Sequence, residues 1–157
     1  MVDIKDPENT LVLETTKGAV IIELLPDLAP KHVERLKLLA REKFYDGIVF
    51  HRVIDGFMAQ VGCPHGTGTG SSAHSDLQAE FNDEPHVRGV CSMARSSNPN
   101  SANSQFFICF DDATFLDNQY TAWGKVIDGM ENVDKLKRGE PVRDPDSIVT
   151  MRVAADV

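Results

Sequence analysis

The feature that most constrains this fold is a series of apolar runs, each five to seven residues long and rich in β-branched side chains. The first two runs, 11–15 and 19–24, flank Thr16-Lys17-Gly18, and a turn with glycine between two such runs predicts a β-hairpin. Six more runs follow at 48–54, 57–61, 89–93, 105–110, 122–127 and 148–154. The sequence therefore predicts about eight strands.

Two segments have the spacing of helices instead. From 30 to 42, apolar residues recur every three or four positions, and Pro30 suits a first helical turn. A second helix is predicted from 129 or 130 to 137, with Asp128 able to cap its start. About eight strands and only two helices predict a mainly β fold, a closed barrel whose ends the helices cover.

Size and charge narrow the class of protein. A chain of 157 residues, 41% hydrophobic and without repeats or linkers, predicts a single domain over 1–157. The formal net charge of -8 argues against a nucleic-acid partner, because phosphates would be repelled. No apolar run approaches the ~18 residues of a membrane span, and the N-terminal residues lack the pattern of a secretion signal. We therefore expect a cytoplasmic protein that binds neither nucleic acid nor membrane.

The cysteines fit the same compartment. Cys63, Cys91 and Cys109 are odd in number and far apart in sequence, which is a poor framework for disulfides. We expect them to be small core residues in a reducing environment.

The densest motif is FHRVIDGFMAQ at 50–60. Strand alternation predicts that Arg52 shares one face with Phe50 and Ile54, whereas His51 points to the other face. The Asp-Gly pair that follows predicts a tight turn into the next strand. An arginine between two bulky apolar side chains must find partners for its donors, and the pattern fits a structural ion pair as well as a functional site.

A second motif is SMARSSNPNSANSQFFI at 92–108, in which a loop of Ser and Asn interrupts two apolar strands. Alternation predicts Gln105 and Phe107 on one face of the second strand, with Phe106 and Ile108 on the other. The loop fits a surface connection and a ligand-facing role equally well.

Three other patterns are weaker. The glycine-rich segment 66–70 lacks the Lys-Ser/Thr of a phosphate-binding loop and the dinucleotide spacing, which favours a flexible loop beside a groove. Cys63, His65 and His74 lack the spacing of a structural zinc site, so we predict no metal. His51 has no nucleophile placed beside it by a motif. We expect no cofactor.

The blocks FHRVIDGFMAQ, SMARSSNPNSANSQFFI and FLDNQYTAWGKVIDGM, in this order and spacing, resemble the signature blocks of cyclophilins. The resemblance extends from the first hairpin to the last strand. It implies a closed eight-stranded antiparallel β-barrel capped by two α-helices, and a cofactor-free peptidyl-prolyl cis/trans isomerase that assists protein folding. The alternative from another class is a non-catalytic module, a chaperone that only binds proline peptides.

The resemblance also implies roles for individual positions. Arg52 matches the catalytic arginine, which is expected to hydrogen-bond the prolyl imide nitrogen in the twisted transition state. Gln60 and Gln105 match the polar groups that hold Arg52 and the substrate backbone, and His51, at the rim, is grouped with Arg52 and Gln60 as catalytic. The remaining substrate-binding positions are Phe57, Met58, Phe107 and Leu116 in the proline pocket, Ala94 and Arg95 on the strand edge along which the peptide lies, and Phe115 and Tyr120 at the rim.

Some positions depart from the best-known animal cyclophilins and resemble bacterial members. Phe115 stands where those proteins have Trp, Tyr120 where they have His, and Arg95 where they have Asn. Cys63 stands where Asp is common, and Asp55 where Pro is common. We expect a monomer whose partners are proline-containing peptides and unfolded or partly folded proteins, with weakened affinity for cyclosporin.

Overall fold

The structure is a computed structural model that describes residues 4–157, so the first three residues of the predicted domain lie outside it. Its strands and helices are β1 (Thr10–Thr15), β2 (Gly18–Leu24), α1 (Pro30–Arg41), β3 (Arg52–Ile54), β4 (Met58–Val61), β5 (Val90–Met93), β6 (Phe106–Cys109), β7 (Ala122–Asp128), α2 (Met130–Val133) and β8 (Ile148–Val153). Single 3-10 turns lie at Pro7–Asn9, Thr114–Leu116 and Ala154–Asp156.

The predicted first hairpin is confirmed. β1 pairs with β2 in antiparallel register from Thr10 opposite Glu23 to Thr15 opposite Gly18. Gly18 has a φ of 125°, and a Cβ atom there would lie 2.7 Å from the side-chain nitrogen of Asn132. The turn therefore requires glycine for its backbone conformation and for the approach of the segment after β7.

All eight strands form one curled antiparallel sheet in the order β3-β4-β6-β5-β7-β2-β1-β8. The predicted mainly β, eight-stranded fold is confirmed, but a closed barrel is not. β3 and β8 end the order, and within residues 4–157 these two strands are not paired with each other. The ends approach through the segment before β3, where Val49 bridges Ser147 and the backbone N–H of Phe50 donates to the carbonyl of Asp146 at 2.8 Å.

The helix α1 begins at Pro30 as predicted and packs its apolar stripe onto the core. Its N-cap residue, Ala29, offers no side-chain acceptor. The carboxylate of Glu80 takes that role instead, because it accepts the backbone N–H of Lys31 at 3.2 Å and of His32 at 2.8 Å. A residue about fifty positions away thus completes the start of this helix.

The second helix begins at Met130, within the predicted start at 129 or 130, but its N-cap residue and its end differ from the prediction. Gly129, with a φ of 88°, is the N-cap residue, so Asp128 ends β7 and does not occupy the cap position. The helix stops at Val133 instead of 137 because the N–H groups of the following residues are bound differently. Leu136 donates to the carbonyl of Val133 in a tighter turn, and Lys137 donates to a carboxylate oxygen of Asp146 at 2.8 Å.

Strand alternation in β6 sorts side chains between two apolar clusters. Phe106 and Ile108 belong to the main core inside the curled sheet, whereas Phe107 and Cys109 belong to a small cluster on the outer face. The predicted faces of this strand are confirmed. In the described part of the chain, no helix is long and apolar enough to cross a membrane.

Candidate active site

The outer cluster forms the floor of a small cavity beside β3, β4 and β6. The cavity has a volume of about 130 Å³. Phe107 and Met58 are buried in its floor, and Phe57 and Tyr120 are partly buried against them. Nine residues singled out from the sequence meet here: Arg52, Phe57, Met58, Gln60, Ala94, Arg95, Phe107, Leu116 and Tyr120.

The strand register explains why polar and apolar groups meet at this cavity. Arg52 on β3 lies opposite Gln60 on β4, and Gln60 lies opposite Phe107 on β6. Directly paired residues on neighbouring strands point to the same face of a sheet. A guanidinium, an amide and an aromatic ring therefore stand in one row across the outer face.

A chain of side-chain hydrogen bonds runs along this row. Arg52 donates through Nη1 to Oε1 of Gln60 at 3.2 Å, and Nε2 of Gln60 donates to Oε1 of Gln105 at 2.9 Å. Nε2 of Gln105 in turn donates to the carbonyls of Gly68 and Gly70 at 3.0 and 2.9 Å. The chain orients an arginine whose side chain is 40% exposed.

One predicted face is wrong. Phe50 does not share the outer face with Arg52, because it is buried in the main core together with Val53. β3 begins only at Arg52, so strict alternation does not extend back to Phe50. Ile54 does pack against the outer cluster. Arg52 is thus flanked by one apolar neighbour on its face, not two.

The floor of the cavity has a polar support that sequence reasoning missed. The ring of His86 stacks on Phe107 with centroids 6.3 Å apart. Its Nε2 lies 2.9 Å from Oγ of Ser92, and its Nδ1 lies 2.9 Å from Oδ1 of Asp117. The backbone N–H of His86 also holds the pKa of Asp117 below its usual value, helped by the His86 ring. This network fixes the aromatic floor from below, and no local motif marked His86.

The rim of the cavity is aromatic and cationic. Tyr120 meets Phe107 edge to face at 5.8 Å, and the guanidinium of Arg95 lies 4.6 Å from the centroid of the Tyr120 ring. Arg95 also donates to the carbonyl of Gln119 at 2.7 Å. Phe115 is 66% exposed, and its ring lies 5.7 Å from that of Phe57.

His51 lies apart from the cavity lining. Its side chain is buried, and its Nε2 is the closest neighbour, at 3.3 Å, of a Cβ atom built on Gly68. Burial lowers the pKa of His51, and the charge of Arg52 lowers it further, so the ring is neutral at pH 7. His51 therefore packs under the loop that holds Gln105.

The glycine-rich loop lies beside the cavity, as predicted. Gly68, Thr69 and Gly70 line a second, more polar cavity of about 300 Å³. Gln60, Ala94 and Arg95 line both cavities, so the two form one continuous groove. A ligand in the smaller cavity can extend into the larger one.

The remaining metal and cysteine candidates lie elsewhere. Nε2 of His74 pairs with Glu42 at 2.9 Å. Cys63, Cys91 and Cys109 are buried and form no disulfide, as expected of core residues. Within residues 4–157, no group of His, Cys, Asp or Glu side chains is arranged to hold a metal ion.

Glu140 is a second residue that sequence reasoning missed. Its carboxylate accepts a hydrogen bond from Nε of Arg52. It lies 88 positions further along the chain than Arg52, in a segment to which no motif drew attention. The site as a whole presents a cationic donor at the edge of an apolar pocket, which can stabilise electron density that develops on a bound group.

Comparison with known proteins gives consistent matches. The family model described as cyclophilin type peptidyl-prolyl cis-trans isomerase/CLD matches residues 10–154. A probable peptidyl-prolyl cis-trans isomerase of Brucella suis is 53% identical over 96% of this chain and 85% of its own length. A peptidyl-prolyl cis-trans isomerase of Synechococcus elongatus is 40% identical over 92% of this chain and 96% of its own.

Solved structures agree. The cyclophilin AquaCyp293 from Hirschia baltica superposes with a TM-score of 0.90 at 33% identity, covering 97% of this chain and 76% of that one. A cyclophilin type peptidyl-prolyl cis-trans isomerase of Cryptosporidium parvum, crystallised in the presence of the dipeptide Ala-Pro, gives a TM-score of 0.85 at 28% identity. It covers 92% of this chain and 98% of the other.

Proposed function

This chain belongs to the cyclophilin-type peptidyl-prolyl cis-trans isomerase family, and from that premise we propose that Arg52 catalyses the rotation of Xaa-Pro bonds whose proline ring occupies the 130 Å³ cavity. The observation that carries the proposal is the placement of the Arg52 guanidinium, held by Gln60, at the edge of an apolar pocket.

The reaction explains why an arginine is useful. Rotation about an Xaa-Pro bond is slow because the C–N bond has partial double-bond character, with a barrier of ~18–20 kcal/mol. In the twisted transition state the nitrogen becomes pyramidal, and its lone pair becomes a hydrogen-bond acceptor. A donor placed at that nitrogen binds the twisted state better than either planar state, which is the condition for raising the rate.

Arg52 fits this role better than a lysine would. Its guanidinium is always charged and rigidly forked, so one nitrogen can donate to Gln60 while another faces the substrate. An ammonium group offers no fixed angle between its donors. The chain from Gln60 through Gln105 to the glycine-rich loop keeps the fork oriented before substrate binds.

The expected reduction of the rotation barrier is larger than one hydrogen bond from Arg52 can supply, so the pocket must also contribute. Raising a rate from about 10⁻² per second to roughly 10–10³ per second lowers the barrier by about 4–7 kcal/mol. One charge-assisted hydrogen bond contributes ~1.5–3 kcal/mol. The apolar pocket supplies the rest by removing water from the imide and holding the ring against Phe107 and Met58. No proton transfer, metal or cofactor is needed for a bond rotation.

The groove suggests how a peptide lies. With proline in the smaller cavity, the residues before it follow the shared wall of Ala94, Arg95 and Gln60 into the larger cavity. The presence of Ala-Pro with the cyclophilin of Cryptosporidium parvum supports a proline ligand for this class of site. Phe115 and Tyr120 border the entrance, and His51 supports the loop on the opposite side.

We further propose that the protein acts as a single catalytic domain and as a monomer. Its substrates are unfolded or partly folded proteins in the cytoplasm, where free thiols persist. The bridge between Val49 and Ser147 holds the two ends of the curled sheet close to each other. Cyclosporin binds weakly at the same groove.

Exchange spectroscopy by NMR on a panel of short Xaa-Pro peptides tests this function. A catalytic amount of protein should accelerate cis/trans exchange, and peptide binding should shift the amide signals of Met58, Phe107 and Leu116. A matched peptide with Ala in place of Pro should leave those signals in place. Binding at the pocket without faster exchange would instead identify a non-catalytic module.

A further inference from the structure

Arg52 is held at two of its three nitrogens, and the second anchor is an acidic residue. Nη1 donates to Gln60 at 3.2 Å, and Nε donates to the carboxylate of Glu140. Building on the function proposed above, we propose that Glu140 is a positioning residue for the isomerase reaction. It holds the Nε edge of Arg52 so that Nη2 is presented to the prolyl nitrogen.

The backbone around Glu140 is fixed against β3. Val53 donates its N–H to the carbonyl of Gly139 at 2.8 Å and accepts the N–H of Gly139 at 2.7 Å. Two residues after Glu140, the N–H of Val142 donates to the carbonyl of His51 at 3.0 Å. These three bonds bracket Glu140 on one side of the chain and Arg52 on the other. The approach of the two side chains is therefore set by backbone pairing.

Gly139 makes this close pairing possible. A Cβ atom at that position would lie 2.7 Å from the carbonyl oxygen of Pro141, which is closer than side-chain carbons approach. The segment can therefore fold back beside β3 only with glycine at this point.

Hydrogen bonds at two nitrogens restrict rotation of the Arg52 guanidinium more than a single hydrogen bond does. With Nη1 alone bound to Gln60, the guanidinium can still rotate about that single contact. A second acceptor at Nε fixes the plane of the fork, and within residues 4–157 no acceptor is bound to Nη2. The planar, fixed geometry of this group means that holding two nitrogens determines the direction of the third.

Stabilisation of the fold is not the role of this pair. The side chains of Arg52 and Glu140 are 40% and 57% exposed, and ion pairs this exposed contribute little to stability. The negative charge of the Glu140 carboxylate also reduces the positive electrostatic potential that Arg52 presents to a substrate. Its benefit must then come from orientation, which matters most in the transition state.

The test compares Glu140→Ala and Glu140→Gln by isomerase kinetics. Glu140→Ala should lower kcat about five- to tenfold and change KM less than twofold, because only the twisted state needs the oriented donor. Glu140→Gln should recover most of the loss, since its amide oxygen still accepts a hydrogen bond from Nε. The melting temperature should stay within about 2 °C for both variants.

Glu8→Ala is the matched control. Glu8 is 50% exposed and pairs with Lys37 and Arg41 far from the groove, so its removal costs the same charge and leaves kcat unchanged. Adding Glu140→Ala to Arg52→Ala should cause no further loss, because Glu140 acts through Arg52.

Several results would overturn the inference. An unchanged or higher kcat in Glu140→Ala, equal losses in Glu140→Ala and Glu140→Gln, or a further loss in the Arg52→Ala background would each do so. If Arg52→Ala kept full activity, the proposed function of Arg52 would itself be wrong. If Arg52→Ala lost activity while Glu140→Ala kept it, only the role proposed for Glu140 would be wrong.

Discussion

Cys63 allows a quantitative prediction about stability and pH. Its Sγ accepts the backbone N–H of Gly70 at 3.2 Å and lies 3.8 Å from Oγ1 of Thr67. Burial alone raises the pKa of this thiol, but the backbone N–H groups of Gly70, Thr67, His65 and Gly68 outweigh burial and lower the pKa to about 6. At neutral pH the loop therefore folds around a thiolate.

The direction of the pKa shift determines how the contribution of Cys63 to protein stability changes with pH. The thiol has a pKa of about 8.5 in the unfolded chain and about 6 in the folded one. Its stabilisation is thus fully present above pH 8.5 and is lost as the pH falls through 6. At about 1.36 kcal/mol for each pKa unit, this stabilisation is about 3 kcal/mol.

The perturbation is Cys63→Ser, and the assay is urea unfolding at pH 5 and pH 9 under reducing conditions. The free energy of unfolding of the variant relative to the wild type should fall by about 3 kcal/mol more at pH 9 than at pH 5. The rings of His51 and His65, which lie beside Gly68 and Gly70, are present in both proteins and cancel in this difference.

Two further variants serve as controls. Burial raises the pKa of Cys91, which stays neutral in the fold while the unfolded thiol ionises at about pH 8.5, so Cys91→Ser should destabilise the protein somewhat less at pH 9 than at pH 5, the opposite trend to Cys63→Ser. Cys63→Asp restores an anion that is charged across the whole range and should remove the pH dependence. A difference between wild type and Cys63→Ser that is constant from pH 5 to pH 9 would show that Cys63 is neutral in the folded protein and would refute the reasoning.

Two other predictions concern the groove. Phe115→Trp restores an indole N–H at the exposed rim and should tighten cyclosporin binding roughly tenfold, with catalysis of short peptides nearly unchanged. Cyclosporin titration and an isomerase assay on one preparation check this. An unchanged affinity would mean that Arg95, Tyr120 or the loop around Cys63 sets the inhibitor preference. EDTA should leave activity unchanged, because bond rotation needs no Lewis acid. Loss with EDTA and recovery with zinc would contradict that expectation.

The parts of the fold that follow from local patterns were predictable. The β1–β2 hairpin depends on a glycine between two β-branched runs, and α1 depends on a proline and an apolar stripe, all of them adjacent in sequence. The end of α2 was not predictable, because Asp146 binds the N–H of Lys137 from a later loop. The face of Phe50 was missed for a similar reason, since pairing fixes the start of β3 at Arg52.

The site shows the same division. The pocket residues lie in blocks whose spacing resembles a known family, so they were found together. Glu140 and His86 lie outside any such pattern, and each becomes relevant only through a contact across the fold, with Arg52 in one case and Phe107 in the other. Alternation and spacing describe a strand by itself, but they do not say which loop folds beside it.

The central claim, that Arg52 acts on the twisted Xaa-Pro bond, is tested most directly by measuring exchange rate and peptide affinity in the same NMR samples for wild type, Arg52→Ala and Arg52→Lys. Removing one charge-assisted hydrogen bond from the transition state should lower turnover by about 10- to 150-fold in both variants. The dissociation constant of the peptide should change by less than about threefold, because planar proline still fits the pocket. Equal losses of turnover and affinity, or full turnover with lysine, would contradict the account.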